Sequence, residues 1–86
     1  MRGPLTGVRA VAFFNELPSG KIKVSLRSRW DPLRVDEIAR RFGGGGHPYA
    51  AGCLLEPPVE EVERRVVAAL EQALHQLDAG ADGRRS

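Results

Sequence analysis

The pattern of apolar and polar residues first predicts two strands joined by a tight turn. Residues 8–17 are apolar at both alternating sets of positions, which is typical of an interior strand covered on both faces. Residues 21–29 alternate strictly instead: Ile22, Val24 and Leu26 would face inward, and the outward set is Lys21, Lys23, Ser25, Arg27 and Arg29. Pro18-Ser19-Gly20 supplies the turn, so we expect a hairpin with one polar, mostly cationic face.

Helical spacing appears in two later segments. Asp31-Pro32 can open a helix that Gly43 ends, with a buried stripe of Val35, Ile38, Ala39 and Phe42. After a short predicted strand over residues 52–56, Pro57-Pro58 introduces a longer helix that Gly80 can cap. The stripe of this second helix is Val59, Val62, Val66, Ala69, Leu70, Ala73, Leu74 and Leu77.

The predicted order is therefore strand, strand, helix, strand, helix, without an internal repeat. This order predicts an α+β (mixed α/β) fold in which the helices pack on a small sheet. Residues 8–78 would form the domain, residues 1–7 an N-terminal extension, and residues 79–86 a disordered tail. A chain of 86 residues is too short for two independent domains.

Composition excludes several classes of protein. No apolar run approaches the roughly 18 residues of a membrane span, and residues 1–5 lack the apolar stretch of a signal peptide, so we expect a cytoplasmic protein without membrane contact. The single cysteine, Cys53, forms no intramolecular disulfide, and His47 and His75 are too few to complete a zinc site with it. Apolar neighbours predict that Cys53 is a core thiol rather than a nucleophile.

Charge is distributed unevenly along the chain. The net charge is only +2, but residues 21–41 carry seven bases and three acids, whereas residues 56–78 carry six acids and two bases. Residues 42–55 carry no Asp, Glu, Lys or Arg. An anionic partner should therefore meet the chain around residues 21–47.

The most informative segment is Phe42-Gly43-Gly44-Gly45-Gly46-His47-Pro48-Tyr49-Ala50-Ala51-Gly52. A flexible linker is the ordinary interpretation of four glycines, but it would leave two fragments that are each too small for a core of their own. Inside a domain, glycines allow successive N–H groups to line a concavity that an anion can approach closely. His47 would then cap a short helix that begins at Pro48 and whose N-terminus faces the same anion. Tyr49 or Trp30 would either stack on a nucleobase or pack in the core.

Three segments together resemble a known family. Ser25-Leu26-Arg27-Ser28, Ile38 to His47, and Ala50-Ala51-Gly52 are similar to the C-terminal DHH-associated domain of the DHH phosphoesterase superfamily, over about residues 8–77. That superfamily includes oligoribonucleases that also dephosphorylate phosphoadenosine phosphate, single-strand exonucleases and cyclic-dinucleotide phosphodiesterases. The resemblance implies a partner domain, N-terminal in cis or supplied in trans, whose Asp and His ligands hold two manganese ions. The C-terminal domain closes over the cleft and binds the substrate's phosphates, and this chain is most similar to that of the oligoribonuclease branch.

The resemblance also assigns site residues. Gly43, Gly44, Gly45, Gly46 and His47 match the substrate-binding glycine motif, and Arg27 with Ser28 matches the strand end that contacts substrate. Arg29, Arg40 and Arg41 are weaker candidates, since solvated surface charge explains them equally well. No carboxylate and histidine cluster precedes these motifs, so we expect no catalytic residue and no metal ligand in this chain.

Three classes of function remain open from the sequence. The chain is the substrate-binding part of a manganese phosphoesterase, a stand-alone single-stranded nucleic-acid-binding module related to the C-terminal domain of alanyl-tRNA synthetase, or an interaction domain whose ligand loop is vestigial. The histidine after the glycines favours the first class. The expected ligand is a short single-stranded nucleic acid or a phosphorylated nucleotide. The sequence leaves open the choice among DNA, RNA and dinucleotide, and whether the chain forms a homo-oligomer.

Overall fold

The computed structural model has a five-stranded antiparallel sheet and two helices. It describes the backbone of residues 5–6 and 9–85 and the side chains of residues 9–78. In chain order the elements are β1 (Leu5–Thr6), β2 (Ala10–Glu16), β3 (Ile22–Ser28), α1 (Val35–Arg41), β4 (Gly45–His47), β5 (Ala50–Leu55) and α2 (Val59–Arg85). The strands lie side by side in the order β1-β2-β3-β5-β4. The predicted mixed α/β fold is confirmed, and β3 is its central strand.

One face of the sheet, which we call the inner face, forms the core with both helices. The alternation predicted for β3 is confirmed, because its inward residues Ile22, Val24 and Leu26 are at most 1% exposed. The other strands add to this face Ala10, Ala12, Phe14 and Cys53. The helices cover it with Val35, Ile38, Ala39, Val59, Val62, Val66 and Leu70. Lys23 and Arg27 project from the opposite side, which we call the outer face.

Side chains on the outer face lie in rows across the strands, because directly paired residues of neighbouring strands point to the same side. The first row consists of Val11, Arg27, Ala50 and His47. The second row consists of Phe13, Ser25, Gly52 and Gly45, and the third of Asn15, Lys23 and Leu54. Val11 and Phe13 are only half-buried, so β2 is interior in the sheet as predicted but is fully covered on its inner face alone.

The predicted start of α1 at Asp31-Pro32 is wrong, because the helix begins at Val35. The Leu33 N–H donates to the Trp30 carbonyl at 3.0 Å, and the resulting turn buries the Leu33 side chain. The Asp31 carboxylate accepts a hydrogen bond from the Tyr49 hydroxyl rather than from a helix N-terminus. The predicted end is confirmed, since Gly43 turns the chain with φ +86° directly after the helix.

The short helix predicted after His47 is also wrong. His47 ends strand β4 and pairs with Ala50, the first residue of β5, so that Pro48 and Tyr49 form a two-residue turn between the strands. The fixed negative φ of proline suits the second position of such a four-residue turn as well as it suits the start of a helix. The sequence therefore did not reveal β4, and it placed the start of β5 two residues too late.

Helix α2 has the predicted stripe but not the predicted end. Its backbone continues through Gly80 to Arg85, so Gly80 does not end it. Val8, where the first strand was predicted to begin, lies outside the described residues, and so do residues 1–4 and Ser86. The boundaries of the domain at residues 8 and 78, and disorder in residues 79–86, stay predictions. Over the described part of the chain, α2 included, no helix combines the length and apolarity needed to cross a membrane.

Candidate functional site

The sheet register brings Arg27 and His47 onto one row of the outer face. Arg27 pairs with Ala50, and Ala50 pairs with His47, so the two side chains are separated by a single small residue. Two strand spacings set their Cα atoms about 10 Å apart. All three residues are exposed. Two cationic or hydrogen-bonding side chains therefore flank a shallow position where a phosphate group can approach the sheet.

The glycine segment, residues 43–46, is not the open cradle of N–H groups that the sequence predicted. The Gly43 N–H donates to the Arg40 carbonyl at 3.1 Å, and the Gly44 N–H donates to the Ala39 carbonyl at 2.8 Å. These bonds satisfy the free carbonyls at the end of α1. The second half of the segment instead forms the edge strand β4, which pairs with β5 on one side. Backbone groups on the other side of an edge strand are available to a ligand.

Close packing explains two of the four glycines. A Cβ atom on Gly44 would lie 2.0 Å from the Gly52 carbonyl oxygen, and one on Gly46 would lie 2.7 Å from the Ala51 Cα. A Cβ on Gly45 would instead meet no atom within 4 Å. Gly45 lies on the second row of the outer face, so the fold itself leaves space above β4 at this position.

The turn that carries His47 is tied to two other elements. The Val35 N–H donates to the Pro48 carbonyl at 2.8 Å, and the Ser28 N–H donates to the Tyr49 carbonyl at 2.9 Å. The Tyr49 hydroxyl also donates to Asp31. That hydrogen bond, together with the negative charge of Asp31, raises the pKa of Tyr49, so the phenol stays protonated and keeps donating. These bonds fix the end of β4 next to the end of β3, and hence His47 near Arg27.

The structure places Ser28 apart from the Arg27 row. Ser28 pairs with Ala10, so its side chain lies on the side of the sheet opposite to Arg27. Its hydroxyl donates to the Trp30 carbonyl at 2.8 Å and accepts from the Trp30 N–H at 3.3 Å. Ser28 thus shapes the turn after β3, and its assignment as a substrate contact stays a prediction.

The three weaker arginine candidates lie in different surroundings. Arg40 forms an ion pair at 3.1 Å with Asp36, whose carboxylate is only 4% exposed and also pairs with Arg34 at 3.2 Å. Burial alone would raise the pKa of Asp36, but the hydrogen bond and charge of Arg34 and the charge of Arg40 together lower it. Arg40 therefore has a structural role in α1. Arg29 and Arg41 are exposed, and their assignment stays a prediction.

The sequence placed Lys23 on the outward, cationic side of β3 but did not single out Lys23 or Leu54 as site residues. Lys23 is exposed on the third row, beside Leu54, which is 54% exposed. The signal was present, since Lys23 and Arg27 share one parity in a strictly alternating strand. Beneath the glycine segment, Cys53 is buried as predicted, and burial raises the pKa of its thiol, so it stays protonated.

The described residues include no cluster of three or more His, Cys, Asp or Glu side chains that could hold a metal ion. Manganese does not fit this donor set. What the residues do provide is an arginine and a histidine on one row beside an edge strand, an arrangement suited to holding a phosphate.

Residues 5–76 match the sequence profile of the DHHA1 domain. The chain belongs to the DHHA1 domain family. The match covers β1 to β5 and most of α2, so this DHHA1 domain includes both ends of the outer face. The resemblance identified from Arg27, the glycine segment and His47 is thereby confirmed.

Curated relatives of this DHHA1 domain include three bacterial proteins. The oligoribonuclease NrnB of Bacillus subtilis (strain 168) is 48% identical over 46 residues, which are 54% of this chain and 12% of that protein. The bifunctional oligoribonuclease and PAP phosphatase NrnA of the same organism is 42% identical over 50 residues, 58% of this chain and 15% of that protein. A probable bifunctional oligoribonuclease and PAP phosphatase NrnA of Streptococcus mutans is 40% identical over 50 residues, 58% of this chain and 16% of its own length. The chain thus spans less than a fifth of the relatives it matches.

Proposed function

We propose that this DHHA1 domain is the substrate-binding part of a DHH-family phosphoesterase that hydrolyses short oligoribonucleotides. In this proposal, Arg27 and His47 hold a phosphate of the substrate on the outer face. An N-terminal DHH domain, in cis or in trans, closes over that face and supplies manganese. The names of the relatives support the oligoribonuclease activity.

The observation that carries the proposal is the row Arg27–Ala50–His47. A guanidinium is always charged and can grip a phosphate through two parallel hydrogen bonds. Arg27 extends from the central strand, whose backbone is paired on both sides, so its Cα is held in place. The methyl group of Ala50 leaves room between Arg27 and His47 for the phosphate oxygens.

The bare outer face fits a role that requires a second domain. Both helices pack on the inner face, while the outer face exposes Lys23, Arg27, His47 and Leu54. A nucleic acid held between this face and a metal-bearing domain would have its phosphates near both the cations of this chain and the metal ions. Metal ions activate water and neutralise developing charge in phosphodiester hydrolysis, which is the chemistry that the partner domain would supply.

Titration of a labelled trinucleotide tests the proposal. Arg27→Ala should weaken binding by about tenfold at low salt, because a charge-assisted contact to phosphate is lost. Binding to the wild-type chain should also weaken as salt rises, since the basic side chains of the protein release counterions from the nucleic acid when it binds. Arg64→Ala is the matched control, because Arg64 is exposed on α2 and paired with Glu61, so it should bind like the wild type.

Equal affinities of the wild type and Arg27→Ala at low salt would remove Arg27 from the site. An equal loss in Arg64→Ala would mean that only net charge matters. Either result would contradict a phosphate site on this row.

A further inference from the structure

We propose that the outer face has a second contact for a nucleic-acid strand, centred on Lys23 and Leu54 at the end away from His47. The ligand would then be a strand of several nucleotides that spans both ends of the face. This inference rests on the proposed function, because it extends the same face beyond the Arg27 row. It adds a site residue and a minimum ligand length.

Lys23 and Arg27 are four residues apart on β3 and point to the same side. At about 3.3 Å per residue, their Cα atoms are about 13 Å apart. Lys23 pairs across the sheet with Leu54, just as Arg27 pairs with Ala50. The glycine segment runs alongside both positions, from Gly43 near Leu54 to Gly46 next to His47.

A surface depression of about 600 Å³ marks the Lys23 end. Its lining includes Leu17, Lys23, Gly43, Gly44 and Leu54. Leu54 is 54% exposed, which leaves apolar surface that a nucleobase could cover. An exposed leucine beside a lysine complements the two parts of a nucleotide, since the leucine can contact the base and the lysine can pair with the phosphate.

Charge and steric access favour a continuous strand between the two ends. On β3, β5 and β4 the middle row holds Ser25, Gly52 and Gly45, whose small or absent side chains leave the path open, and its fourth member, Phe13, lies to one side on β2. None of the residues in the three outer rows is acidic, so no carboxylate of these rows repels a polyanion along this path. Among the described residues, Lys23 forms no ion pair, whereas the neighbouring Lys21 lies 3.4 Å from Glu56.

The separation of the two contacts sets the length of the ligand. A stacked strand advances about 3.4 Å per nucleotide and an extended strand advances further, so about 13 Å corresponds to at most roughly four nucleotides. A dinucleotide therefore reaches one end of the face, and a pentanucleotide reaches both.

The test compares two ligand lengths on matched variants of the whole chain. A labelled diadenylate and a labelled pentaadenylate are titrated against the wild type, Lys23→Gln, Lys21→Gln and Arg27→Ala. Lys23→Gln should weaken pentanucleotide binding by about fivefold and leave dinucleotide binding unchanged. It should also reduce the slope of log affinity against log salt by about 0.7 for the pentanucleotide. Lys21→Gln removes the same charge nearby and should bind both ligands like the wild type.

The outcomes separate this inference from the function on which it rests. If only Arg27→Ala weakened pentanucleotide binding, while Lys23→Gln and Lys21→Gln both bound it like the wild type, the second contact would be wrong and the phosphate site would stand. The same would follow if Lys23→Gln weakened both ligands equally. If Arg27→Ala bound the pentanucleotide as tightly as the wild type, or if the wild type bound neither ligand, the proposed function itself would fail, and the second contact with it. Lys21, Lys23 and Arg27 are all exposed, so thermal melting should show every variant folded.

Discussion

The glycines of residues 43–46 differ in what they do for the fold. Gly43 turns the chain with a positive φ after α1, and Gly44 and Gly46 pack against the backbone of β5. Gly45 has an ordinary φ and open space where a Cβ would be. A glycine that the fold does not need lowers the free energy of unfolding by roughly 0.5 to 1 kcal/mol relative to alanine when it lies in a strand. Under the proposed function, the bare position gives a ligand access to β4.

Gly45→Ala should therefore separate folding from binding. Its free energy of unfolding should stay within about 1 kcal/mol of the wild type, on the more stable side. Its affinity for a short single strand should fall, because the new methyl group projects onto the outer face. Thermal melts and a trinucleotide titration measure both.

Gly44→Ala is the control for this substitution. Its Cβ would overlap the Gly52 carbonyl, so unfolding free energy should fall by roughly 1 to 3 kcal/mol. If Gly45→Ala bound the strand as tightly as the wild type, ligand approach over β4 would be wrong.

At the scale of elements, the periodic patterns predicted those strands and helices that bury one face in the core. The strict alternation of β3 and the apolar stripe of α2 gave both elements, because each has one face in the core. β4 could not be found in this way. Its residues, Gly45, Gly46 and His47, have no apolar side chain, and the strand exists only because β5 pairs with it. The site was predicted from residue types, but the row that joins Arg27 to His47 depends on a pairing between distant segments that no local pattern contains.

The N-terminal end of α1 depends on a buried carboxylate, which gives its stability a defined pH dependence. Asp36 is held between Arg34 and Arg40, and its pKa is lowered in the folded chain. A group with a lowered folded pKa stabilises the fold above its ordinary pKa, about 4 for aspartic acid, and this contribution is lost as pH falls through the lower folded value. The wild-type chain should therefore lose stability below about pH 4.

Asp36→Asn should be less stable than the wild type at neutral pH and should lose less stability on acidification. Urea unfolding of both chains between neutral pH and about pH 3 provides the measurement. Parallel pH profiles of the two chains would show that Asp36 is not the group responsible.

At the scale of the whole molecule, the two sides of the sheet differ in the charges they carry. The acidic residues 56–78 belong mostly to α2, on the covered side of the sheet, whereas the basic residues 21–41 include the outward side chains of β3. A chain of small net charge is therefore polarised, and an approaching polyanion is directed to the outer face.

The chain alone should not hydrolyse oligoribonucleotides. Its described residues contain no cluster of metal-ligating side chains, and the route that the family resemblance implies requires metal ions. Incubation of the purified chain with manganese and a short oligoribonucleotide should leave the substrate intact. Turnover that survives repurification and is abolished by a chelator would contradict this prediction.

The edge position of β4 also determines how readily its backbone opens to solvent. Within the described residues, β4 pairs with β5 alone, to which a two-residue turn joins it, whereas β3 is paired on both sides. Backbone amides of β4 should therefore exchange with solvent deuterium sooner than those of β3, whose opening requires the sheet to separate. A nucleic acid bound to both Arg27 and His47 would bridge β3 and β4. It would slow that exchange, since a ligand that binds only the closed state shifts the opening equilibrium towards the closed state. Amide exchange at the glycines is therefore a sensor of occupancy that requires no catalytic activity.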